Sequence, residues 1–339
     1  MGRSHSTQEA ILRFIGKNGS ATGPELAGSL GITRQAVSPH LRELIASGRI
    51  FKTGSTRAAR YFPADAAPAA QRIRRSLSLD NLDESDVYEE LSIRLNLSSL
   101  PPNIEDIVHY AFTEMLNNAI DHSFSERCMI EVSTDVSKVL FTVRDEGIGV
   151  FHSIAEKFDL PGEHAALIEL IKGKMTTMPE AHSGEGIFFV SRSADRFVLR
   201  SHRQQLEWDR AKDDVFVSDS RFIKGTLVQF EIRRNTRTRL ANVFAEFAPE
   251  KYDYRFEKTR VLVKLVQEDY VSRSEAKRLL HNLDKFSEIE LDMSSVRHVG
   301  QGFADEVFRV FATAHPGIEI RAINATGAVD AMLRHSSAL

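Results

Sequence analysis

Three polar residues on one stretch, followed by three glycine-bearing turns, carry the chemistry that this sequence offers. In Glu114-Met-Leu-Asn-Asn118-Ala-Ile-Asp121-His122, the acid Glu114, the amide Asn118 and the acid Asp121 recur at offsets of four and seven. At about 100° per residue, these offsets bring the three side chains within a narrow arc of one helix. A carboxylate and an amide on one stripe can act together on one ligand, although the stripe alone also fits an ordinary polar helix edge. Asp145-Glu-Gly147-Ile-Gly149 places a carboxylate acceptor beside a backbone that a ring can approach closely, and a purine amino group suits that acceptor. His182-Ser-Gly184-Glu-Gly186 opens a further apolar helix. Glycines at a helix N-terminus expose backbone N–H groups, and the helix dipole there favours phosphate. Gly225-Thr226 begins a strand over 227–232.

Regular elements must hold these groups in place. Residues 103–123 carry apolar side chains at Ile104, Ile107, Val108, Ala111, Phe112, Met115, Leu116, Ala119 and Ile120, which predicts a well-buried helix. Residues 139–143 alternate as a strand that delivers Asp145. The connection over 150–183 is long, with its own helix near 163–171, and connections of that length are usually functional. Lys172 and Lys174 near its end are placed either to reach phosphates or to stand as solvated lysines; Phe188 and Phe189 read as core.

In this order the segments resemble the ATP-binding domain shared by DNA gyrase, its heat-shock chaperone relative, histidine kinases and MutL, the GHKL superfamily. The resemblance covers about residues 85–235 and implies a Bergerat-type α/β sandwich that binds ATP with Mg²⁺. It implies that Asn118 ligates Mg²⁺, with Asp121 and His122 in the same box. Asp145 would bind the adenine amino group, with Gly147 and Gly149 beside it and Thr226 in support. Gly184 and Gly186 would line the phosphates, and the connection would be the ATP lid, bringing Lys174 to them. Members that act as ATPases or serine kinases keep an acid where Glu114 stands. Glu114 is therefore expected as the catalytic base, orienting or deprotonating water or a protein hydroxyl.

The N-terminal region is of a different kind. Residues 1–65 carry nine Lys/Arg against four Asp/Glu, a local +5, so the remainder carries −8. A helix over 7–18, a second from Pro24 to Leu30, a tight turn at Gly31 and a third helix capped by Thr33 are expected, followed by two short runs that can pair as a hairpin. "TGPELAGSLGITRQAVSPHLRELIASGRI" resembles the winged helix-turn-helix of bacterial transcription regulators. That resemblance puts the third helix in the major groove of double-stranded DNA. Thr33, Arg34, Gln35, Ser38 and Arg42 are then the candidate readers, with Arg suiting guanine and Gln adenine. Arg57 and Arg60 on the wing would touch phosphate. The same fold also serves protein docking, and Pro39 inside the third helix is expected to remove a hydrogen bond and kink it.

An Ala/Pro-rich stretch begins a linker, set at 66–84. A second boundary falls near 235–253, and residues 253–339 show strand–helix–strand–helix order. "Leu-Asp-Met-Ser-Ser-Val" at 291–296 resembles the strand end of STAS-like domains of anti-sigma-factor antagonists, and of the STAS-like module that often follows GHKL ATPases. The resemblance implies a protein partner for this domain. Gly302 stands where the phosphorylatable antagonists carry a serine, and a glycine cannot accept phosphate.

The fold expected overall is a multidomain α+β chain: winged helix-turn-helix, GHKL α/β sandwich, then a small STAS-like α/β domain. The single cysteine, Cys128, excludes an intrachain disulfide framework and a multi-cysteine zinc site. No apolar run approaches the roughly 20 residues that span a bilayer, so no membrane partner and a cytoplasmic location are expected. The reading expected first is an ATP-binding, weakly hydrolysing transcriptional regulator whose nucleotide state gates DNA or partner binding. The alternatives are a protein serine/threonine kinase of the anti-sigma-factor type and a nucleotide-fixed interaction module of a defence or stress system. Relatives of such ATP domains often dimerise and paired half-sites suit a dimer, which leaves a homodimer open.

Overall fold

The computed structural model describes residues 2–47, 49–53, 59–63, 71–173, 185–265 and 269–337. It divides into two compact units. One comprises Met1–Ile73 with Val132–Leu140 and Arg233–Asn235; the other comprises Arg74–Glu131, Phe141–Ile232 and Thr236–Leu339.

The first unit opens with α1 (Gly2–Asn18), β1 (Ala21–Thr22), α2 (Gly23–Leu30) and α3 (Arg34–Ala46), followed by β2 (Ile50–Thr53) and β3 (Arg60–Pro63). Local signals set these boundaries. The Glu25 amide donates to Thr22 Oγ1, the Glu25 carboxylate accepts from the Thr22 amide at 2.7 Å, and Gly31 ends α2 at φ 63°. Thr33 Oγ1 accepts from the Ala36 amide at 3.2 Å and starts α3, which runs unbroken through Pro39. Ile11, Ile15, Leu26, Val37, Leu41 and Leu44 close the core. β3 pairs antiparallel with β2 on one side and β1 on the other.

The middle region holds β4 (Gln71–Ser78), α4 (Glu84–Leu95), α5 (Pro102–His122), β5 (Arg127–Thr134), β6 (Lys138–Asp145), α6 (Val150–Lys157), α7 (Glu163–Lys172), α8 (Gly186–Ser193), β7 (Arg196–Asp209) and β8 (Asp214–Arg233). Its strands form one sheet in the order β4-β5-β6-β8-β7. The linker set at 66–84 is corrected in part: 71–78 is strand β4 and Asp83 caps α4, while 64–70 lie outside the described residues. The cause is an alternation of partly buried and exposed side chains that ends on buried Leu77, too weakly apolar to read as a strand. The strand expected at 227–232 is likewise the end of a longer one, because β8 pairs with β7 from Asp214↔Asp209 to Glu231↔Arg196, across a bulge at His202. Eight apolar residues of α5 are buried, as their spacing requires.

The C-terminal region contains α9 (Leu240–Phe247), β9 (Lys258–Leu262), β10 (Asp269–Tyr270), α10 (Arg273–Leu280), β11 (Glu288–Asp292), β12 (His298–Val299), α11 (Gln301–Asp305), α12 (Ala312–Ala314), β13 (Glu319–Ile323) and α13 (Gly327–Ser337). A π-helical stretch, Glu306–Phe311, joins α11 to α12. The main sheet is parallel in the order β13-β11-β9. The strand expected over 261–266 starts earlier, at Lys258, and ends at Leu262. Its first half is masked in sequence by charges that the ladder neutralises. Lys258 lies 3.3 Å from Glu288 and 3.0 Å from Glu290, Arg260 donates to Glu290 at 2.9 Å, and Arg321 donates to Glu288 at 2.9 Å and also to Glu290.

Glu290 gives this ladder a pH signature. Burial opposes its ionisation, but hydrogen bonds from Arg321, Lys258 and Arg260 outweigh that and hold the carboxyl down at about 2. A carboxyl whose pKa is depressed by folding stabilises the fold above its ordinary value near 4.5 and loses that contribution as pH falls toward about 2. Glu290→Gln is expected to lower the urea midpoint at neutral pH. The gap from wild type should narrow across that acid window and close below it; a gap that is constant with pH contradicts the assignment.

Candidate functional site

The site is built where α5, the end of β6 and the middle of β8 meet. Asp145 is buried at the end of β6, and its Oδ1 accepts from the amides of Gly147 at 2.9 Å and Thr226 at 3.1 Å. Burial pushes its pKa up, and those two hydrogen bonds oppose the rise. Close approach explains two of the glycines. A Cβ on Gly147 would lie 1.8 Å from the Ser123 carbonyl oxygen, which already accepts from the Ile148 amide at 2.9 Å. Gly225 has φ +74°, and a Cβ there would lie 2.5 Å from the Asp145 carbonyl and carboxylate oxygens. Thr226 Oγ1 accepts from the Val150 amide at 3.0 Å and so ties the start of α6 to β8. Gly149 starts that helix at φ +83°, hard against Ser201 and His202.

The polar stripe on α5 meets the N-terminus of α8. A Cβ on Gly186 would lie 2.1 Å from Glu114 Oε2, so these two residues are in contact across 72 positions of chain. Asn118, one turn further along α5, has its Nδ2 buried without a hydrogen-bond partner among the described residues. Asp121 and His122 are partly buried in the last turn of α5. Gly184 and Lys174 lie outside the described residues.

Lys172 is neither of the two things expected of it. It is buried at the end of α7, where its Nζ donates to Glu169 Oε1 at 2.7 Å and to the His281 carbonyl oxygen at 3.0 Å. Glu169 Oε2 also accepts from Asn282 Nδ2 at 3.0 Å, and Thr259 Oγ1 donates to the Lys172 carbonyl oxygen at 2.7 Å. Burial lowers the Lys172 pKa and Glu169 opposes that. Lys172 thus fastens α7 to the C-terminal region and is not directed at a phosphate. Phe188 and Phe189 are core, as expected, packed with Phe247 and Phe256.

In the first unit, Arg34, Gln35, Ser38 and Arg42 are all exposed on α3. Thr33 is occupied as the cap of that helix. Arg60 is exposed on β3, where its NH1 donates to Ser20 Oγ at 2.9 Å. Arg57 lies outside the described residues. Residues missed in sequence are Ser123, whose carbonyl closes the turn at Gly147, and Arg192, whose guanidinium stacks on Trp208; neither stands in a recognisable motif.

Residues 5–50 match a family model described as winged helix-turn-helix DNA-binding. Residues 275–330 match one described as a STAS-like domain of unknown function. The chain carries both domains. The first suggests DNA binding, with transcriptional regulation as its setting. Between them the middle region is a mixed α/β arrangement that neither match covers. No curated protein matches the chain. Among the described residues no helix is long and apolar enough to cross a membrane, and no group of His, Cys, Asp and Glu is arranged to hold a metal ion.

The glycine contacts give a stability test. Gly147→Ala must displace the Ser123 backbone and is expected to cost about 1–3 kcal/mol. Gly16→Ala, in helix α1 with nothing within 4 Å of its Cβ position, should stabilise by about 0.5–1 kcal/mol. Urea unfolding of the two variants reads the contrast, and equal midpoints would refute the close approach at Gly147.

Proposed function

We propose that the chain is a DNA-binding regulator whose middle region binds ATP with Mg²⁺, and that nucleotide state gates DNA or partner binding. The observation that carries this reading is the convergence of four separated segments. Asp145 gathers the amides of Gly147 and Thr226, while Gly186 lies against Glu114 on the helix that bears Asn118.

The residues present fit such a ligand. The Asn118 amide is buried and unsatisfied among the described residues, and a bound group would remove that cost of about 1–3 kcal/mol. The glycines at 147, 186 and 225 leave no room for a Cβ, which keeps backbone exposed in the site. On this reading Asn118 holds Mg²⁺, Asp145 accepts from the adenine amino group, and Thr226 fixes the Asp145 carboxylate. Gly149 sets the start of α6, Asp121 and His122 complete the end of the polar helix, and Gly184, Gly186 and Lys174 face the phosphates. Mg²⁺ supplies neutralisation of phosphate charge. Glu114, beside Gly186, is positioned to take a proton from water or from a hydroxyl near the N-terminus of α8. If that hydroxyl belongs to a partner protein, the output is phosphotransfer rather than hydrolysis. The chain's own STAS-like domain is not the acceptor at its α11 start, where Gly300, Gln301 and Gly302 stand.

For DNA, the exposed α3 face of Arg34, Gln35, Ser38 and Arg42 reads base edges, and Arg57 and Arg60 hold phosphate from the wing. The local +5 charge supplies attraction that weakens with salt.

Two measurements test the proposal. Calorimetric titration with Mg-ATP is expected to give saturable heat in wild type, and none in Asn118→Ala at an unchanged thermal unfolding midpoint; equal heats in both proteins would remove Asn118 from the site. Arg34→Ala is expected to weaken binding to a selected operator by about 1–3 kcal/mol while leaving non-specific DNA binding nearly intact. Operator affinity that is the same with and without Mg-ATP would remove the gating.

A further inference from the structure

A cleft on the far side of α8 from Glu114 has a charge without a counter-charge. Helix α8 ends in Ser191-Arg192-Ser193, and Arg192 extends over the side chains of its own helix and of β7. Its guanidinium carbon sits 4.3 Å from the centre of the Trp208 ring and 5.4 Å from that of Phe188. Among the described residues it has no hydrogen-bond or ion-pair partner, since Asp195 and Glu246 pair instead with Arg210 and Arg260. Burial and the neighbouring Arg260 push its pKa down to about 10, which leaves it charged at neutral pH.

Trp208 is similarly incomplete. It is 5% exposed, and its Nε1 is buried without an acceptor among the described residues. A guanidinium on the ring face cannot supply one, because arginine carries donors only. Two unpaired donor groups therefore share one cleft. Ile171 of α7, Ile187 of α8, Leu206 of β7 and Val215 of β8 wall it with hydrocarbon, and Ser191 adds a hydroxyl. It encloses about 360 Å³ counted out to its open mouth, which bounds any occupant to a short chain or a single ring.

Ordinary packing accounts for the stack but not for the missing acceptor. Cation–π contact is worth about 0.5–2 kcal/mol, whereas a partly buried charge without a counter-ion costs more than that. The planar fork of arginine matches a carboxylate bidentately. Apolar walls around one cationic group are the composition of a site for a small amphiphilic anion. We propose that the Arg192–Trp208 cleft binds a small organic carboxylate, with the carboxylate on the guanidinium and the hydrocarbon against the aliphatic walls. The site lies on the helix whose first residue touches Glu114 and on the helix that Lys172 anchors, so its occupant bears on both. It stands apart from the nucleotide reading, since it uses none of the same side chains.

Trp208 is the single tryptophan of the chain and reports on the cleft directly. Full-length protein is titrated with sodium benzoate, phenylacetate and hexanoate while Trp208 emission is followed, with phenylacetamide as the uncharged counterpart. At least one carboxylate is expected to give a saturable change at submillimolar to low millimolar concentration. Phenylacetamide should bind at least about tenfold more weakly than phenylacetate. Arg192→Met keeps an apolar stem over the indole and removes the charge, and should weaken the best carboxylate by about tenfold or more. The proposal is overturned if none of the three carboxylates saturates, or if phenylacetamide matches phenylacetate in wild type, a comparison that needs no variant to fold. It is also overturned if folded Arg192→Met binds like wild type.

Discussion

A buried carboxylate with two backbone donors organises the middle of this protein. Asp145 loses solvation at the end of β6, and the loss is offset only because Gly147 and Thr226 bring their amides to one oxygen. Gly147 can do so because it has no Cβ to strike Ser123; Thr226 can because Gly225 turns β8 at a positive φ. Through Thr226 Oγ1 the same point fixes the start of α6. Helix α5, a strand end, a turn and a distant strand are thus registered against a single side chain. Its other carboxylate oxygen is what gives the arrangement a use beyond structure, as the acceptor in the nucleotide reading.

The second constraint is charge in the C-terminal region. A parallel sheet usually reads as a continuous apolar run, yet β9, β11 and β13 carry Lys258, Arg260, Glu288, Glu290 and Arg321 at facing positions. Each buried carboxylate has at least two cationic partners. Lys172 follows the same rule with Glu169, and removing one member of such a pair is far costlier than replacing both. Against this background Arg192 is the exception: a cation of the same interior whose aromatic neighbours solvate it without neutralising it.

Much of the arrangement was legible because the relevant signals are local. The period of apolar residues gave α5, the Thr22 and Thr33 caps gave α2 and α3, and the polar offsets of four and seven placed Glu114, Asn118 and Asp121 together. The glycines at 147, 186 and 225 were recognisable as close approaches, though not what they approach: the Ser123 carbonyl, the Glu114 carboxylate and Asp145 are set by chain separations of up to 80 residues. What stayed hidden was non-local in the same way. Strand β4 carries arginines and serines, and its alternation has meaning only beside β5. Lys172 looked like any lysine after a helix, because Glu169, His281 and Thr259 become its partners only once α7 packs on β9. Arg192 stands in no motif, and its isolation is a property of what fails to surround it.

Helix α8 joins these themes. Its eight residues span about 12 Å. The first touches Glu114, the middle turns bury Phe188 and Phe189 in an aromatic cluster with Phe247 and Phe256, and the last turn lays Arg192 over Trp208. A hydrogen-bonded helix of this length is much stiffer than the loops around it, so a displacement at one end is transmitted to the other. The aromatic cluster resists small displacements, because close-packed cores shift between discrete arrangements rather than deform continuously. Its rings come both from α8 and from the region before the STAS-like match, including Phe256 at the start of β9. Any ligand that changes the position of Gly186 against Glu114 must therefore either leave this cluster as it is or repack it. Repacking would move β9 and, through the Lys258 and Arg260 pairs, the charged ladder of the C-terminal sheet. That is a physical route by which events at the polar helix reach a domain that itself carries none of the site's residues.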